Sequence, residues 1–93
     1  MSAKVMIPTP LRRFTENQAT VEVEGATVGE VLGRLSEQHS GLRKHLYNEQ
    51  GTLRNYVNVY LNDEDVRFLE RDATPVRGGD VLSIVPSIAG GTS

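Results

Sequence analysis

One amphipathic helix, set among segments that alternate like strands, constrains this chain more than any other feature. Thr27-Val28-Gly29-Glu30 has the S/T-x-x-E spacing of a capping box. In that motif the threonine hydroxyl accepts from the Glu30 amide and the glutamate carboxylate returns to the Thr27 amide. Behind it Val28, Val31, Leu32 and Leu35 fall at i, i+3, i+4 and i+7. They form one apolar stripe, with Glu30, Arg34 and Glu37 left for water. The pattern predicts a helix over 27–39, ended at His39-Ser40-Gly41, where Gly41 takes the left-handed turn.

The flanking segments read as strands. Val5-Met6-Ile7 is apolar and stops at Pro8-Thr9-Pro10, whose two prolines cannot donate to a ladder. Thr20-Val21-Glu22-Val23-Glu24 alternates apolar with acidic, the period of a half-buried strand. The two segments are expected to form a hairpin around a long loop. Leu42 to Tyr47 is read as a short helical turn, and Asn48-Glu49-Gln50-Gly51 as a polar loop. The strongest strand signal is Tyr56-Val57-Asn58-Val59-Tyr60-Leu61-Asn62, with Val57, Val59 and Leu61 on one face and Asn58, Tyr60 and Asn62 on the other. Asp63-Glu64-Asp65 is expected to turn, Val66-Arg67-Phe68 to form a short strand, and Arg77-Gly78-Gly79-Asp80 to turn again before a last strand from Val81 to Val85. A single main helix among about five strands must cover one face of a mixed sheet and leave the other open. With the last strand parallel to the first in the centre, the fold class is α+β, the β-grasp or ubiquitin-like arrangement.

Ninety-three residues suffice for one domain with one core. A β-grasp domain over residues 1–86 and a flexible tail over 87–93 are expected. Ten basic and twelve acidic residues leave a formal charge of −2, with no concentrated positive field for nucleic acid. The absence of cysteine removes thiolate nucleophiles, zinc ribbons and disulfides. No apolar run approaches the ~18 residues of a membrane span, and the first residues lack a signal-peptide core, so no membrane and a cytoplasmic location are expected. Little side-chain chemistry remains. After the proline stop at Pro86 the chain runs Ser87-Ile88-Ala89-Gly90-Gly91-Thr92-Ser93, which makes the tail's main-chain carbonyl the candidate reactive group.

Three stretches carry a resemblance to a known family: Val57 through Phe68, the turn Gly79-Asp80-Val81, and the ending Pro86-Ser87-Ile88-Ala89-Gly90-Gly91. Together they resemble the bacterial ubiquitin-like sulfur carrier proteins, a group that includes the thiamine-pathway carrier and the small subunit of molybdopterin synthase. The likeness is strongest to carriers that feed a cysteine synthase. The resemblance implies a protein co-substrate rather than an enzyme, with no bound cofactor. An activating enzyme of the E1 type, using ATP and magnesium, adenylates the Gly91 carboxylate, and a sulfur donor converts it to a thiocarboxylate. That group then delivers sulfide to an accepting synthase, with cysteine synthase the expected acceptor. Gly90 and Gly91 would thread the partner's channel, since glycines reach conformations closed to other residues, with Ala89 and Ile88 before them in the tail. By strand register Tyr60, Val85 and Ile88 are expected to be exposed beside the tail, and Tyr60, Val85 and Pro86 to meet the partner.

Members ready for activation end at the second glycine, whereas here Thr92 follows Gly91 and leaves it an amide. The favoured reading is trimming between Gly91 and Thr92, by a metalloprotease in the implied scheme; a residual extension is the other. Two further acceptors remain open: protein lysines, as for a ubiquitin-like modifier, and a pterin, as for molybdopterin synthase. The remaining polar clusters have plainer readings. Asp63-Glu64-Asp65 is taken as a solvated turn with no metal, His39 and His45 as caps or surface residues, and Arg12-Arg13 and Arg43-Lys44 as solvated pairs able to meet an acidic surface.

Overall fold

The computed structural model describes residues 2–86. Five strands form one sheet: β1 Ser2–Met6, β2 Thr20–Glu24, β3 Val57–Leu61, β4 Glu64–Asp65 and β5 Val81–Pro86, in the order β2-β1-β5-β3-β4. β1 pairs antiparallel with β2 and parallel with β5, and β3 pairs antiparallel with both β5 and β4. The β-grasp arrangement expected from the sequence is present, with the last strand in the centre beside the first.

Helix α1, Val28–Gln38, packs on one face because its stripe points there. Val28, Val31, Leu32 and Leu35 are fully buried. They meet Ala3, Val5, Val23, Val59, Leu82 and Ile84 of the sheet in one continuous core. Thr27 accepts from the Glu30 amide at 3.2 Å as the capping box requires. Glu30 instead accepts from the Ala26 amide at 2.7 Å, one residue earlier than expected.

The chain does not leave the helix layer at Gly41. A second helix, α2, runs Ser40–Leu46 and buries Leu42 and Leu46 in the same core. Gly41 lies inside it, where a Cβ would sit 2.7 Å from the Phe14 ring. Its glycine therefore answers a close approach, not a left-handed turn. A second correction falls after β4. Val66–Phe68 is a 3-10 turn, not a strand, because Asp65 caps it by accepting from the Arg67 amide at 2.9 Å. The β3–β4 hairpin closes over Asn62 and Asp63, whose φ angles of 49° and 76° suit residues that tolerate the left-handed region. Asn62 then ties this hairpin to the turn before β5: its amide donates to Asp80 at 3.0 Å and its side-chain oxygen accepts from the Val81 N–H at 3.0 Å. Asp80 in turn accepts from the Arg77 N–H at 2.8 Å. These bonds fix where β5 begins, and so the direction in which it runs.

Candidate functional site

Strand alternation decides what the uncovered face of the sheet presents. In the β3–β5 ladder Tyr60 lies opposite Ser83 and Asn58 opposite Val85, so Tyr60 and Val85 are diagonal neighbours on one face. Tyr60 is half-buried and Val85 is 43% exposed. The open face thus brings together two of the residues expected to meet a partner. Pro86 does not join them. It pairs with the buried Val57 at the end of β5, which places it on the helix-bearing side. Ile88, Ala89, Gly90, Gly91 and Thr92 lie outside the described residues.

Met6 belongs to the open face and was not singled out from the sequence. The parallel β1–β5 register sets it beside Ser83, giving a row Met6, Ser83, Tyr60 across the three central strands. Met6 is 41% exposed. The signal was available: in Lys4-Val5-Met6 the buried member is Val5, so period two throws Met6 outward. The face is flanked by Lys4 on β1 and by the acidic Glu22 and Glu24 on the edge strand β2, all exposed. The face therefore has an apolar centre of Met6, Tyr60 and Val85 and a charged rim.

One electrostatic contact supports the far side of this face. Asp65 lies opposite Tyr60 in the β3–β4 ladder. Its carboxylate receives a fork from Arg67, with Nη2 donating to Oδ2 at 2.7 Å and Nε donating to Oδ1 at 3.1 Å. Those hydrogen bonds, together with the one from the Arg67 main chain, hold the Asp65 carboxyl below the ordinary carboxylate range. Asp80 is held low as well, first by the Arg77 N–H and then by Asn62. Asp65 is therefore occupied as an ion-pair partner, and among the described residues no group of three or more His, Asp or Glu side chains is placed to hold a metal. Nor is any helix long and apolar enough among them to cross a membrane.

The site so described is a partly apolar open sheet face at the end of which β5 runs to Pro86, and among the described residues no acid, base and nucleophile converge on it. Comparisons with known proteins agree with that form. The sulfur carrier protein CysO of Mycobacterium tuberculosis is 42% identical over 93 residues, covering 98% of this chain and all of that protein. Small archaeal modifier protein 3 of Haloferax volcanii is 40% identical over 68 residues, 73% of each chain. A chain of the crystal structure of the Amycolatopsis orientalis BexX/CysO complex superposes with a TM-score of 0.85 at 43% identity, over 96% of this chain and 99% of that one. These relatives are small carrier and modifier proteins, not enzymes. The ThiS family matches residues 5–91, from β1 through the second glycine, and the chain belongs to that ubiquitin-like family.

Proposed function

We propose that this chain is a sulfur carrier whose reactive group is the C-terminal carboxylate of Gly91 once Thr92-Ser93 has been removed. The observation that carries the reading is the coincidence of two extents: similarity to a sulfur carrier protein over 98% of the chain, and a family match that runs through Gly91. Carboxylate attack on ATP forms an acyl-adenylate and releases pyrophosphate. Sulfide then displaces AMP and leaves a thiocarboxylate; a persulfide does the same through an acyl disulfide that a thiol reduces, the thiol ending in a disulfide. The E1-like activating enzyme supplies ATP and magnesium, and the carrier supplies only the acyl group and a surface to hold. Met6, Tyr60 and Val85 form that surface, and the tail delivers sulfide to an accepting synthase. Cysteine biosynthesis is the destination that the likeness to CysO supports.

Removal of Thr92-Ser93 is required on chemical grounds. With Thr92 attached, Gly91 has no carboxylate to activate and its carbonyl is deactivated by amide resonance. A metalloprotease cutting the Gly91–Thr92 bond fits this step. The second reading, a modifier that forms isopeptide bonds with lysines, is favoured by the likeness to small archaeal modifier protein 3 and uses the same activated glycine.

Intact mass separates these readings. Full-length protein and a version ending at Gly91 are incubated with an activating enzyme, ATP, magnesium and a sulfur source. The shortened protein should exchange one oxygen for sulfur, whereas the full-length protein should not change. Sulfur on a chain that still carries Thr92 and Ser93 would refute the mechanism. Conjugates of added whole-protein mass, with no thiocarboxylate, would establish the modifier instead.

A further inference from the structure

The helix layer holds a feature that lies apart from the open face of the sheet. A polar cleft of about 860 Å³ opens between α1, α2 and the turn at 48–51. Arg43, Lys44 and Arg54 line it together with Tyr47, Glu37 and Glu49. Among the described residues the one ion pair is Arg67 with Asp65, so none of the three cations here has a carboxylate at ion-pair distance, although two glutamates line the same cleft.

The three cations differ in what else explains them. Arg43 and Lys44 sit in the last turn of α2, where positive charge complements the helix dipole and satisfies a local need. Arg54 arrives from outside the helix. Its Nε donates to the Lys44 carbonyl at 2.8 Å and its own N–H donates to the Leu46 carbonyl at 2.9 Å. One nitrogen of the guanidinium is thereby pinned to the end of α2, and its terminal nitrogens remain to serve a ligand. Tyr47 is half-buried beside them, and burial, with a smaller contribution from Asp72, pushes its phenol up, so it is a standing O–H donor at neutral pH.

We propose that this cleft docks an acidic segment of a partner protein. Complementarity supplies the sign, since unpaired cations gather here on a chain whose formal charge is −2. Geometry supplies the class. The donors gather at the C-terminal end of α2, but the cleft of about 860 Å³ continues from them between α1 and the turn at 48–51, which is room for a peptide segment beyond a single small anion, and Arg with Tyr is the pairing enriched at the centres of protein interfaces. The cleft lies in the helix layer, across the sheet from Met6, Tyr60 and Val85. A partner held here leaves the open face free, so the chain can be tethered by one protein while another occupies the sheet. The inference does not depend on the tail chemistry proposed above.

The test titrates isotopically labelled full-length chain with a blocked oligoglutamate peptide and follows amide resonances. Saturable shifts should be confined to residues 33–54 and spare Tyr60 and Val85. Replacing Arg43→Gln together with Lys44→Gln should weaken binding about tenfold or more. Both side chains are exposed, and unchanged sheet resonances will report an intact fold. Three outcomes overturn the proposal: the double variant binds as tightly as the parent; shifts spread equally to Arg12 and Arg77; or pyrophosphate at matched ionic strength produces the same shifts and displaces the peptide at equal or lower concentration, which would make the site one for a small oxyanion.

Discussion

Val5 and Met6 are neighbours in β1, yet Val5 is wholly buried under the helices while Met6 is 41% exposed on the other face. The same contrast runs across the sheet. Beneath α1 and α2 lie Val59, Leu82 and Ile84, all 3% exposed or less; on the opposite face lie Tyr60, Ser83 and Val85 in the adjacent positions of the same strands. The covered face is set by folding, because apolar area removed from water there drives the domain together. The open face gains nothing comparable, so Met6, Tyr60 and Val85 can change at little cost to the fold, which leaves them available for the docking role proposed above.

The strongest attempt to break this contrast compares a mild truncation on the covered side of the sheet with a drastic charge insertion on the open side. Leu32→Ala or Leu35→Ala should lower the unfolding free energy by about 2–5 kcal/mol, since both side chains are fully buried. Val85→Asp should change it by less than about 0.5 kcal/mol while weakening capture by the activating enzyme, which would have to desolvate the new charge. Urea denaturation and a binding isotherm on the same variants decide the matter. A destabilisation by Val85→Asp that rivals the leucine changes would show that the open face serves the fold.

A smaller effect sharpens the contrast within the helix layer. At Gly25 a Cβ would lie 2.7 Å from the Val31 methyl and 2.9 Å from the Val31 main-chain nitrogen. Gly25→Ala should therefore destabilise by about 1–3 kcal/mol through overpacking. At Gly33, on the outward side of α1, nothing lies within 4 Å of the added carbon. Gly33→Ala should raise stability by about 0.5–1 kcal/mol, because alanine suits a helix and the unfolded chain loses freedom. Thermal denaturation showing the two changes with the same sign would contradict the packing described.

What the sequence revealed follows the same division. The α1 stripe, the alternation of β2 and β3 and the central parallel β5 were legible because burial repeats with a fixed period in each element. The extent of α2 was not, since Gly41 owes its place to Phe14, a contact across 27 residues of chain that no local pattern records. Val66-Arg67-Phe68 alternates like a strand, and only the Asp65 side chain, bonding back to the Arg67 amide, turns it into a 3-10 helix. Tyr60 and Val85 were found by register; Pro86 was grouped with them by sequence proximity, which ignores that adjacent strand residues face opposite ways. The tail chemistry rests on Gly90-Gly91 and the family, beyond the described residues.

The smallest expected effect concerns the one place where the open face does hold something buried. Asp65 shares that face with Tyr60 but is only 8% exposed, sheltered under the Arg67 guanidinium. Its pKa is lowered, chiefly by the Arg67 side-chain hydrogen bonds. A carboxyl whose folded pKa lies below its unfolded value contributes stability above the unfolded value and loses it as pH falls through the folded one. The contribution should thus be intact at neutral pH and disappear on acidification through and below the ordinary carboxylate range. Asp65→Asn removes the titrating group, so the variant should be less stable than the parent at neutral pH and the two stabilities should converge in acid. The acid dependence that persists in the variant includes Asp80, which Arg77 and Asn62 also hold low. Urea denaturation of both proteins across a pH series measures the gap directly. A gap that stays constant through the acid range would mean that the Arg67 fork gives Asp65 no preference for its charged form, and that this corner of the open face is held by packing alone.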